Sequence, residues 1–128
     1  METSYGIGSF PGPLDANLQL MDEATKEGTG ASDVVDLGEN FAPSPAQPLA
    51  VEMNVTALDT VTGNETYSVK LQESYDNSNW SDTGLQLSVT ATGLIHKVVG
   101  VSRRYLRLYL TLAGTTPSIT ADAWVNRT

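Results

Sequence analysis

The sequence predicts an all-β fold: an antiparallel β-sandwich or jelly roll of about eight strands with an extended N-terminal arm. Three observations carry that prediction. Apolar and polar side chains alternate with a period of two through most of the chain after residue 49. Turn-forming residues separate the alternating runs at short intervals. No stretch repeats its apolar residues with the helical period.

The elements follow in order. Residues 1–13, METSYGIGSFPGP, hold three glycines and two prolines. Glycine costs ordering entropy and proline lacks an N–H, so the stretch is neither helix nor good strand. Tyr5, Ile7 and Phe10 are spaced through it. Apolar anchors suit an arm that orders against a neighbour, whereas a solvated tail is usually poor in aromatics; both readings stand. The division is an arm over 1–13 and one domain over 14–128.

Residues 14–22 fit a short strand or a helical turn, and 22–33 (DEATKEGTGASD) read as a polar loop. Val34-Val35-Asp36-Leu37 is a short apolar run ended by Gly38. Residues 41–48, FAPSPAQP, carry three prolines and read as extended loop rather than ladder. Leu49, Val51, Met53 and Val55 then share one face, opposite Glu52, Asn54 and Thr56. After turn chemistry at 62–65, Tyr67, Val69 and Leu71 alternate with Ser68, Lys70 and Gln72. A second turn at 76–79 leads past Trp80 to Leu85, Leu87 and Val89, and Gly93 marks the next break. Residues 94–101 are more uniformly apolar, which predicts a strand covered on both sides or bent at Gly100. Leu106, Leu108, Leu110 and Leu112 line one face of the next strand. Ile119, Ala121, Ala123 and Val125 do so in the last.

Composition narrows function. The 128 residues contain no cysteine and one histidine, His96. That excludes disulfides, thiol nucleophiles and thiolate metal sites, and makes a Ser/His/Asp triad improbable. Net charge is −8, against the basic patches that bind nucleic-acid phosphates. No apolar run approaches the length of a membrane span, and the N-terminus lacks the pattern of a signal peptide. The expectation is a protein that is not an enzyme, uses no cofactor and binds neither nucleic acid nor membrane. The charge is uneven, with residues 1–69 at −10 and residues 70–128 at +2. Solvated acidic loops account for this; so does a surface that meets a partner through opposite charge.

Several residue groups are candidates for chemistry. Asp76, Asn79 and Asp82 offer oxygen ligands, but too few for calcium, and a hairpin turn explains them equally. N-x-S/T sequons begin at Asn54, Asn64, Asn79 and Asn126, a number expected by chance in a Ser/Thr-rich chain. Tyr105, Tyr109 and Trp124 occupy the polar-side positions of the last two strands, with Arg107 between the tyrosines. Such aromatics are core, a protein interface or a sugar-stacking strip. The Arg103-Arg104 pair is a solvated strand start or a fork for carboxylates.

The order of these segments resembles a known family. Leu14, Asp15 and Leu20 open a polar Gly/Thr/Ser loop, followed by Val34-Val35-Asp36-Leu37-Gly38 and a Pro-rich loop. The strands LAVEMNVTAL and YSVKLQESYDNSNW come next, and RRYLRLYLTLAGTTPSITADAWV closes the chain. Over Leu14 to Val125 this resembles the cement (decoration) proteins of tailed-bacteriophage heads. The resemblance implies a jelly roll on the outer surface of the virion, bound to the major capsid protein between capsomers as a homo-oligomer, dimer or trimer. It also implies binding without catalysis. On that reading Tyr5, Ile7 and Phe10 reach beyond their own domain, and Arg103, Arg104 and Arg107 face carboxylates on a neighbour. The alternative is a carbohydrate-binding or adhesion-type β-sandwich, which shares the fold.

Overall fold

A computed structural model describes residues 18–38 and 47–127. Tyr5, Ile7, Phe10 and the rest of the predicted arm lie outside the described residues. Among the described residues nine strands build two antiparallel sheets: β1 (Gln19–Lys26), β2 (Gly30–Ala31), β3 (Val35–Asp36), β4 (Gln47–Leu58), β5 (Thr66–Ser74), β6 (Ser81–Ser88), β7 (Gly93–Val101), β8 (Tyr105–Ala113) and β9 (Ile119–Arg127). One sheet runs β1-β9-β4-β7. The other runs β2-β8-β5-β6, with β3 also paired to β8. Consecutive strands cross repeatedly between sheets, which is the jelly-roll order, β2 and β3 together filling one strand's place.

Alternation places the core. Leu49, Val51, Met53 and Val55 of β4 and Ile119, Ala121, Ala123 and Val125 of β9 are buried on the inner face of one sheet. Tyr67, Val69 and Leu71 of β5 and Leu106, Leu108, Leu110 and Leu112 of β8 face them from the other. The register sets these rows side by side, Leu71 opposite Leu108 and Met53 opposite Ala123. Small alanines on β9 leave room for the leucines across the interlayer space, which is how facing layers reach interior density.

Three segments depart from expectation, each at an edge or end. β1 continues to Lys26, through residues read as loop, because DEATK is ladder on an edge strand with little to bury. Two register shifts against β9 interrupt it, and Glu23 takes φ +42° there, its amide donating to Asp122 Oδ1 at 2.7 Å. Residues 47 and 48 of the predicted Pro-rich loop belong to β4. Pro48 pairs only with Gly100 on β7, since the β9 ladder starts at Leu49, so its missing N–H breaks no two-sided ladder. β7 is neither covered on both sides nor bent; its nine residues run in unbroken register along β4. It is the edge of its sheet, with Leu94, His96, Lys97 and Val98 exposed.

Both ends of the sandwich are tied by side chains. At one end Asn64 donates to Thr115 Oγ1 at 2.9 Å and Glu65 accepts from the Thr116 hydroxyl at 3.1 Å. At the other, the Asp76 carboxylate organises the β5–β6 turn.

Candidate docking face

The β8 side chains opposite its buried leucines form a row on the outer face of the β2-β8-β5-β6 sheet: Tyr105, Arg107 and Tyr109, all half-buried. Cross-strand register extends the row sideways. Arg107 lies beside Gln72 of β5, which lies beside Asp82 of β6, while Tyr109 lies beside Lys70. Arg107 Nε donates to Gln72 Oε1 at 2.9 Å, and Gln72 Nε2 donates to Asp82 Oδ1 at 3.1 Å. Lys70 Nζ is 3.5 Å from Asp82 Oδ2. Hydrogen bonding from Gln72, then the charge of Lys70, holds the Asp82 carboxyl below its ordinary range.

Trp80 joins this row from the β5–β6 loop. The Arg107 guanidinium sits 4.3 Å from the Trp80 ring centroid and 5.7 Å from that of Tyr109. A planar cation against aromatic faces gains from the ring quadrupole and from stacking.

Of the two other predicted arginines, Arg104 borders the same face, while Arg103 lies at the end of the sandwich beside Glu73 and Ser81; both engage carboxylates of their own chain. Arg104 grips Asp36 of β3 through Nε at 2.7 Å and a terminal nitrogen at 2.9 Å, a two-point fork between planar groups. It also lies 5.0 Å from the Tyr105 ring centroid. Arg103 donates to Ser81 Oγ at 2.9 Å and stacks 4.4 Å from the Tyr75 centroid. Its Nε is buried 3.8 Å from Glu73 Oε2, a coulombic pair beyond hydrogen-bond reach. Asp36 with Arg104 thus joins the acidic front half of the chain to its basic back half.

The Asp36 pairing predicts a pH dependence. The Arg104 hydrogen bond, then the Gly38 amide at 2.8 Å, lower its carboxyl from 3.8 to about 2. A carboxylate with a depressed folded-state pKa adds stability above its unfolded value and loses it as pH falls. The Asp36 contribution is therefore complete above about pH 4 and vanishes towards about pH 2. Thermal melts across that window should show Asp36→Asn losing less stability on acidification than the parent; parallel curves would contradict the pairing.

Of the possible metal ligands, Asp82 belongs to the β6 row described above, and Asp76 and Asn79 serve a turn. Asp76 accepts from the Ser78 and Asn79 amides at 2.9 Å each, from the Asn79 side chain at 3.0 Å and from the Ser74 hydroxyl at 3.0 Å. These bonds hold its carboxyl far below the usual range. Among the described residues no group of three His, Cys, Asp or Glu side chains is placed to hold a metal.

The predicted aromatic strip divides between the two sheets. Tyr105 and Tyr109 are on β8, but Trp124 is on β9 and points out of the opposite sheet, in register with Gln19 and Glu52. β8 and β9, consecutive in sequence, lie in different sheets, and alternation alone does not reveal the sheet. The face also holds Trp80 and Gln72, which side-chain alternation does not bring to Arg107. Trp80 directly after an Asp/Asn turn was the available signal, but its approach to Arg107 depends on β5 pairing with β8.

No protein-family model matches this chain, and no curated protein matches it in sequence. Among solved structures, the CBM22-1–GH10 modules of Clostridium thermocellum xylanase 10B, complexed with xylohexaose, align over 87% of this chain at 12% identity and a TM-score of 0.44. The aligned part amounts to 28% of that chain. The Yersinia pseudotuberculosis-derived mitogen aligns over 79% of this chain and 83% of its own, at 15% identity and a TM-score of 0.39.

Proposed function

We propose that this chain is a structural cement protein that binds the outer surface of a tailed-phage head, contacts the major capsid protein between capsomers and stabilises the shell. The observation that carries the reading is the outer sheet face on which the Arg107 guanidinium approaches the Trp80 ring and, at longer range, that of Tyr109, with Tyr105 on the same strand. Tryptophan, tyrosine and arginine dominate the energetic centres of protein interfaces. Here they stand on a sheet face, a shape suited to another protein's surface. The segment order from Leu14 to Val125 supports the same reading. A ligand of the assembled shell that ignores free subunits stabilises assembly by mass action, and contacts to several subunits multiply through effective concentration.

The test uses phage heads assembled without this chain and the purified protein added back. Co-sedimentation is expected, with Arg107→Ala or Trp80→Ala weakening it by about 30-fold or more, the scale of a hot-spot truncation. Deleting residues 1–13 should lower occupancy as well, through loss of Tyr5, Ile7 and Phe10. Absence of binding by the parent protein would overturn the reading. The carbohydrate-binding alternative shares the sandwich, and its signature would be heat of binding to oligosaccharides abolished by Trp80→Ala. The Arg107 guanidinium 4.3 Å from the Trp80 ring centroid favours the protein partner, because it occupies the ring that a sugar would stack on.

A further inference from the structure

The fold protects three of its four sheet edges. β1 is broken by two register shifts against β9. On the β8 edge, β2 and β3 are two residues each, and hydroxyls complete the ladder between and beside them. Ser32 Oγ accepts the Leu108 amide at 2.8 Å, and Thr29 Oγ1 accepts the Leu112 amide at 3.0 Å. β6 carries an irregularity opposite Leu71, where Gly84 takes φ +102°. Bulges, short strands and side-chain caps all prevent a further strand from adding. β7 has none of these. It is nine residues long, in unbroken register with β4, and among the described residues nothing pairs with its other side.

β7 also presents apolar surface. Leu94 and Val98 are 63% and 57% exposed, and both lie on the outer face with His96 between them. Across β4 the same face continues with Asn54, Glu52 and Ala50, opposite Leu94, His96 and Val98 respectively.

We infer that β7 pairs antiparallel with β7 of a second copy, about a two-fold axis through His96. The run is self-complementary in that register. Leu94 of each copy meets Val98 of the other, and the two His96 side chains meet at the axis with a Glu52 carboxylate beside each. Paired residues keep to one sheet face only if their numbers share parity, and the His96 register obeys this. Shifting the axis to Lys97 would set Leu94 against Gly100 and stack two lysines. In the His96 register Lys97, exposed on the opposite face, lays its aliphatic stem over the partner's Ile95 position while its ammonium stays in water. The chain's own remaining segments suit the edge less well. Residues 39–46 carry Pro43 and Pro45, which lack the donor a ladder needs, and residues 1–17 lead into β1 at the far edge of the sheet. The product is an isologous dimer with one eight-stranded sheet running through both copies. It does not depend on the capsid reading.

The absence of cysteine gives a direct test. Opposed residues in an antiparallel pair have Cα atoms about 4.5–5.5 Å apart, within disulfide range. His96→Cys should therefore cross-link to itself under mild oxidation. Leu94→Cys alone should not, because its copies lie four residues out of register, about 13 Å apart, but mixed with Val98→Cys it should. Analytical ultracentrifugation should show a concentration-dependent dimer for the parent, with Val98→Asp raising the dissociation constant at least tenfold and leaving the circular dichroism unchanged. A monomer at all concentrations, a cross-linking pattern of another register, or dimerisation only after deletion of residues 1–13 would each overturn the inference.

Discussion

Gly114→Ala is expected to destabilise this protein by about 3–5 kcal/mol, among the largest effects available to a single methyl group. Gly114 follows β8 with φ +112°, a conformation that L side chains rarely adopt. A Cβ there would lie 2.6 Å from Glu65 Cα, 2.8 Å from the Asn64 carbonyl and 2.9 Å from the Glu65 amide. All three obstacles are backbone, so no rotamer change relieves them. Either the β8–β9 turn or the turn before β5 must move, and both are tied through Asn64–Thr115 and Glu65–Thr116. A domain of this size loses roughly 4 °C in Tm per kcal/mol, so the melting midpoint should fall by about 12–20 °C. Gly63→Ala is the control. Gly63 also has positive φ, +84°, but open space where the Cβ would go, and its cost should be near 1 kcal/mol. Equal losses at the two sites would show that close approach is not what constrains Gly114.

Tyr67 carries the second large effect. Its ring is buried, and its hydroxyl reaches the same end of the sandwich from β5. It donates to the Asp59 carbonyl at 2.5 Å and accepts the Ser118 amide at 2.9 Å. One phenol thereby satisfies backbone groups of two separate loops, after β4 and before β9. Tyr67→Phe keeps the ring and leaves both groups without that partner, which costs about 1–3 kcal/mol. Tyr67→Ala also empties the ring's volume in the core, and the total should reach about 3–5 kcal/mol or more. Urea unfolding separates the contributions, with the midpoint falling from parent to Phe to Ala at constant slope. A Phe variant as stable as the parent would mean that water replaces both bonds at no cost.

Legibility in the sequence followed burial. Where a strand buries one face, its side chains alternate, and β4, β5, β8 and β9 are plain in the amino-acid order. The turns at 62–65 and 76–79 are equally plain, because Gly, Asn and Asp do local work there. Edge strands are harder, since they bury little. β1 hides in DEATK because only Leu20 and Met21 go deep. β7 reads as doubly covered because GLIHKVVGV is apolar, although it is exposed. The candidate face was half visible. Arg107 and the tyrosines stand in one strand and share a parity. Trp80 is 27 positions away, and only sheet order brings it to them. Sheet order also carries Trp124 to the opposite side, a separation that no local pattern records.

The internal engagement of the three arginines has a thermodynamic consequence. A free surface arginine must surrender rotamer freedom when it is captured, typically about 0.5–1.5 kcal/mol for each long side chain at an interface. Here the loss is already met during folding, by Gln72 and two rings for Arg107, by Asp36 for Arg104, and by Ser81 and Tyr75 for Arg103. Any partner of this face encounters the Arg107 and Arg104 guanidinium planes held in a set orientation, with Asp36 balancing the charge of Arg104. Recognition there then depends less on long-range attraction than on matching a rigid contour.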